Sequence, residues 1–149
     1  MAKIERFEDL ICWQKARIIV NNIYDITTTG EFSKDWSLKD QIRRAAISVM
    51  LYIPEGFCRK SHKEFKQFLF FAHGSIGEIQ SALYIAIDRK YINQDIFNEI
   101  YAKCEEDSKI ISGLIKSLEL NYMILTQCTQ CTQHTQCILH IQYTQSTLC

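Results

Sequence analysis

Residues 41–92 read QIRRAAISVMLYIPEGFCRKSHKEFKQFLFFAHGSIGEIQSALYIAIDRKYI. Apolar residues recur here in steps of three and four. They stand at Leu38, Ile42, Ala45, Val49 and Tyr52/Ile53, and again at Phe65, Phe68/Leu69, Ala72, Ile76, Ile79, Leu83 and Ala86/Ile87. That spacing lays each set along one face of an α-helix, as in a bundle. A short basic turn at residues 56–60 separates the two sets, so the stretch predicts an antiparallel helical hairpin onto which the rest of the chain packs.

The flanking sequence supplies two more helices. Residues 7–27 carry apolar side chains on more than one side (Leu10, Ile11, Trp13, Ile18, Ile19, Ile23, Ile26), which suits a central helix or one that meets another subunit. Thr27-Thr28-Thr29-Gly30 ends it, and residues 30–36 read as a loop. Ser37 with Asp40 reads as the N-cap of the second helix, and Ser61 with Glu64 as a capping box for the third. Pro54 should stop the second helix near Tyr52 or bend it, since its ring and missing N–H disrupt the turn before it. Asn93 opens a fourth helix with a stripe at Ile96/Phe97, Ile100, Cys104, Ile111, Leu114/Ile115 and Leu118. The predicted class is all-α, an antiparallel up-down-up-down four-helix bundle over residues 1–121. Gly74 and Gly77, inside the third helix, are expected to permit close approach of a neighbouring backbone.

Residues 122–149 form an irregular low-complexity tail in this reading. From Thr126 it runs TQC TQC TQH TQC ILH IQY TQS TLC, a period matching neither helix nor strand. Cys128, Cys131, His134 and Cys137, with His140 beyond, have zinc-ligand chemistry, but a strict triplet leaves no loop to wrap an ion; no metal or other cofactor is expected. Cys12, Cys58 and Cys104 read as reduced, packed thiols.

Lys/Arg and Asp/Glu are equal at 17 each, yet unevenly placed: residues 38–90 hold nine basic against five acidic, residues 91–120 three against six. The hairpin is therefore the anion-facing part. Arg59, Lys63 and Lys66, spaced four and three apart, are read as one face at the start of the third helix, with Lys60 and His62 beside them and Arg43 and Arg44 on the adjoining helix. Such a patch suits phosphate contacts that orient a nucleic acid without reading its sequence; the alternative is a solvated helix face with ordinary ion pairs. Phe70 and Phe71 cannot both enter one stripe, so one should face a partner helix, another subunit or a base, with subunit contact the favoured choice. Catalysis finds no support: Ser48 and Ser75 lack a nucleophile elbow, His62 and His73 lack an acidic orienter, and Glu55 and Glu78 pair only if the hairpin joins them. No apolar run is long enough for a membrane span, so the cytoplasm is the expected location.

QIRRAAISVMLYIPEGFCRKS, followed by KEFKQFLFFAHGSIGEI and preceded by FEDLICWQKA, resembles the bacterial "four helix bundle protein" family encoded in intervening sequences of 23S ribosomal RNA genes, a relative of the accessory protein of diversity-generating retroelements. The similarity covers about residues 5–120. It implies a non-enzymatic bundle assembling as a homopentamer, with ribosomal or other structured RNA as partner; the alternative it implies is an adaptor that holds a reverse transcriptase. By position it marks Arg43, Arg44, Glu55, Gly56, Arg59, Gly74, Ser75 and Glu78. Of these, Glu55 with Arg44 is expected as a polar pair and Gly74-Ser75 as a tight helix contact. Tyr52 and Pro54 depart from the family's Asn and Ala, which together with the tail suggests a diverged copy.

Overall fold

The computed structural model describes the backbone of residues 4–130 and the side-chain surroundings of residues 4–120. Every regular element among them is helical: a 3-10 turn at Phe7–Asp9, α1 (Ile11–Thr28), a second 3-10 turn at Glu31–Lys34, α2 (Trp36–Cys58), α3 (His62–Asp88) and α4 (Gln94–Gln130). The chain divides into two compact units, Met1–Ile115 and Lys116–Cys149. The described part of the second is the end of α4. The remainder of the fold belongs to the first.

Contacts at two heights fix the direction of neighbouring helices. Gln41 reaches Glu78 while Tyr52 meets Phe68 and Phe71, so α3 runs antiparallel to α2. His73 bonds to Ser108 while Tyr84 meets Phe97, so α4 runs antiparallel to α3. Ile19, Ile23, Ile42, Ile53, Leu69, Ile76, Ile79, Leu83, Ile100 and Ile111 fill the core and are almost wholly excluded from solvent. Each such side chain contributes about 1.5–3 kcal/mol relative to exposure.

Several boundaries differ from those expected. Residues 7–9 form only a 3-10 turn, because Leu10 is extended and buried before α1 begins. Residues 30–36 are not all loop: four of them form the second 3-10 turn, which buries Phe32. Helix α2 starts two residues earlier than Ser37 would allow; its N-cap is Asp35, whose Oδ1 accepts the Leu38 N–H at 3.0 Å. The other oxygen of Asp35 accepts from the Tyr91 hydroxyl at 3.2 Å, and Tyr91 stacks on Phe32. One carboxylate thus joins the start of α2 to the α3–α4 connection. Ser61 and Asn93 cap α3 and α4 as expected. At its other end α4 continues to Gln130, so the first triplet of the repeat and the two residues after it are helical, in keeping with the low cost of extending an existing helix.

Pro54 does not stop α2, which runs on to Cys58. The last turn is held by tertiary packing: Ile53 is fully buried, and Gly56 faces the side chains of Phe65 and Phe68. A Cβ on Gly56 would stand 2.6 Å from the Phe68 Cβ, closer than atoms can approach. Gly74 and Gly77 do not play that part. Both are on the exposed side of α3, with nothing within 4 Å of where a Cβ would lie. Gly56→Ala should therefore destabilise the protein by about 1–3 kcal/mol through overpacking, read as a lower urea midpoint.

Candidate nucleic-acid interface

The turn between α2 and α3 is built by a helix ending and a helix beginning within four residues. The Arg59 N–H bonds to the Gly56 carbonyl and the Lys60 N–H to the Phe57 carbonyl, both at 3.3 Å. Lys60 lies in the left-handed region at φ 53°, where a residue with a Cβ is strained. Ser61 is extended and its hydroxyl accepts the Glu64 N–H. The turn thus exposes Arg59, Lys60, His62 and Lys63 in close succession.

These cations differ in how they are engaged. Arg59 is not on α3 but closes α2; its guanidinium sits between Glu55 at 3.1 Å and Glu64 at 3.6 Å, and over the Phe68 ring at 5.3 Å. Glu55 therefore pairs with Arg59, and the expected partnership with Arg44 does not form. Lys66 is half-buried one turn into α3 and engaged. Lys60 and Lys63 make no ion pair among the described residues, which leaves them available to an incoming anion.

The other two expected contributors stand elsewhere. Arg43 and Arg44 precede Arg59 on α2 by about fifteen residues, or roughly 22 Å of helix rise. Arg43 is engaged with α1, donating to Thr27 Oγ1 at 2.7 Å and Thr28 Oγ1 at 3.2 Å and lying over the Tyr24 ring. Arg44 is solvated and pairs with Asp40 at 3.2 Å. The antiparallel hairpin separates Glu55 from Glu78 in the same way, since Glu78 accepts from Gln41 at the far end. The two carboxylates cannot act as an acid–base pair. Ser75 is buried, whereas Gly74 is exposed and has nothing within 4 Å of where a Cβ would lie among the described residues.

Phe70 and Phe71 both remain outside the core, 52% and 46% exposed, with Phe71 leaning on Tyr52 and Phe68. Tyr84 and Ile85 extend the same helix's apolar surface. Of the three packed thiols expected, Cys12 and Cys104 are buried and Cys58 is exposed. No group of His, Cys, Asp and Glu among the described residues could hold a metal, and the Cys/His triplets from Cys131 onward lie outside them. No helix among them is long and apolar enough to cross a membrane.

The fold and this turn define a small helical-bundle protein with a basic hairpin. The family model of the 23S rRNA-intervening sequence protein matches residues 8–113, and the chain belongs to that family. A crystal structure of a protein of unknown function from the S23 ribosomal protein family of Bacteroides thetaiotaomicron is similar in fold. It shares 22% identity and a TM-score of 0.65, over 71% of this chain and 99% of that one. No curated protein matches the chain.

The strained turn gives a direct prediction. Lys60→Gly should raise stability by about 1 kcal/mol by relieving the left-handed Cβ contact, whereas Lys60→Ala should not, as compared by urea titration.

Proposed function

We propose that this protein is a non-enzymatic, oligomeric RNA-associated bundle whose α2–α3 turn meets phosphates. The observation that carries this reading is the pair Lys60 and Lys63, exposed beside Arg59 and without an ion pair among the described residues. Lys66 adds charge one turn on, while Arg43 and Arg44 would touch the same RNA only if it spans the length of α2. Ribosomal or other structured RNA is the partner that family membership favours, and the cytoplasm the compartment.

Self-association, as a homopentamer, would use the outer side of α3. Phe70, Phe71, Tyr84 and Ile85 are about half exposed there, beside the open positions Gly74 and Gly77. This apolar surface also supports a second reading, an adaptor that holds a reverse transcriptase through protein contacts.

RNA anisotropy with the full chain at about 50 and 200 mM salt separates the readings. Phosphate contact predicts affinity that falls steeply with salt. Neutralising Arg59, Lys63 and Lys66 together to Gln should weaken binding and reduce the salt slope by about one for each phosphate that these cations neutralise. Absence of binding at the lower salt would leave the adaptor reading. For self-association, Gly74→Ala should stabilise an isolated chain by up to about 1 kcal/mol. If α3 packs against a second copy, Gly74→Leu should instead lower the oligomer mass measured by light scattering.

A further inference from the structure

Asp107 is the one charged residue within the apolar stripe of α4. It follows Cys104 by three and precedes Ile111 by four, and its side chain is completely buried. Neither carboxyl oxygen has a hydrogen-bond partner. The ionisable groups that act on it come from two helices: from α1 the buried Cys12 and the partly exposed Lys15, from α4 itself Cys104 and Glu106. On the α3 side His73 bonds to Ser108, the next residue, at 2.9 Å. The buried residues of α2 are apolar or glycine. Lys15 does not neutralise Asp107 directly, because its ammonium is 2.8 Å from Glu106 at the solvent edge.

An unpartnered carboxylate in such a place loses its hydration and gains nothing in return, whereas the protonated acid is tolerated at far lower cost. We propose that Asp107 makes the α1–α4 seam a proton-operated latch, closed while the carboxyl keeps its proton and opened as that proton passes to water. Opening breaks no bond other than the acid's O–H: the buried acid becomes a hydrated carboxylate and one proton is released. The inference is independent of RNA binding.

The direction of the pH effect follows from the two states. Burial foremost, and Glu106 next, push Asp107 up to about 8 from an ordinary 3.8, with Lys15 opposing. A group raised in the closed state favours closure fully below the open-state value and loses that advantage as pH rises to about 8. Opening should thus increase by up to about tenfold per pH unit in between and level off above.

Cys12 and Cys104 report the seam, since burial and Asp107 push both thiols up to about 12 and make them inert while it is closed. Exposed Cys58 is the internal reference for thiol chemistry. Maleimide labelling of the full chain, resolved by peptide mass spectrometry between pH 5.5 and 8.5, should show the Cys12/Cys58 and Cys104/Cys58 rate ratios rising more than tenfold up to pH 7.5. They should then flatten above pH 8. Asp107→Asn should hold both ratios within about twofold, and Asp107→Leu, which keeps an apolar seam should the amide variant fail to fold, should do the same. A flat ratio in the wild type, or an equal rise in whichever variant folds, would overturn the latch. So would hydrogen exchange in α2 and α3 accelerating in step, because the opening would then be global.

Discussion

The fold depends on a side chain that is missing. At Gly56 the backbone of α2 comes so close to Phe68 that a single Cβ would collide with it. This contact lets α2 and α3 converge at their turn, seats Phe57 against Phe65, and keeps α2 helical beyond Pro54. Convergence here also determines where charge emerges. Because α2 continues through Cys58, the chain must reverse within residues 59–61, and the basic residues crowd into that reversal. The left-handed backbone at Lys60 is the conformational cost of so short a connection.

At the opposite end of the hairpin a different economy holds. Asp35 satisfies the free N–H of Leu38 and receives the Tyr91 hydroxyl, while Lys39 reaches the Ser33 carbonyl and lies over Trp36. Arg43 completes the arrangement by holding the end of α1. Lys39 and Arg43 serve here as structural ties, whereas Lys60 and Lys63 at the turn face solvent. Sequence proximity to a motif says nothing about which use a given arginine has.

The helices were legible because the apolar spacing is regular and two of the caps, Ser61 and Asn93, use side chains whose only local purpose is capping. Where two polar residues competed for the same duty, sequence reading failed: Asp35 and Ser37 both precede the apolar run, and only geometry shows which backbone amide is within reach. The glycines were misassigned for a related reason. All three sit in helices, but whether one faces a neighbour depends on its angle around the axis, and Gly56 shares the buried face while Gly74 and Gly77 do not. The joint basic patch failed on distance, since Arg43 and Arg44 stand on α2 about fifteen residues before Arg59, roughly 22 Å of helix rise from the turn. Asp107 was readable in principle. The step from Cys104 to Ile111 leaves a gap that the helical repeat must fill, and the residue filling it is an acid.

Pro54 and Tyr52 bear on the fold and the surface differently. Pro54 lies in the last turn of α2, where its missing N–H removes one bond from a segment already fixed by Ile53 and Gly56, so the architecture survives it. Tyr52 places an aromatic ring 5.6 Å from Phe71 and 6.2 Å from Phe68, beside the ring that Arg59 covers. Tyr52 thus closes this seam with aromatic contacts. The residues that set the helices here, Ile53 and Gly56, and those that meet the solvent at the turn, Lys60 and Lys63, are different ones.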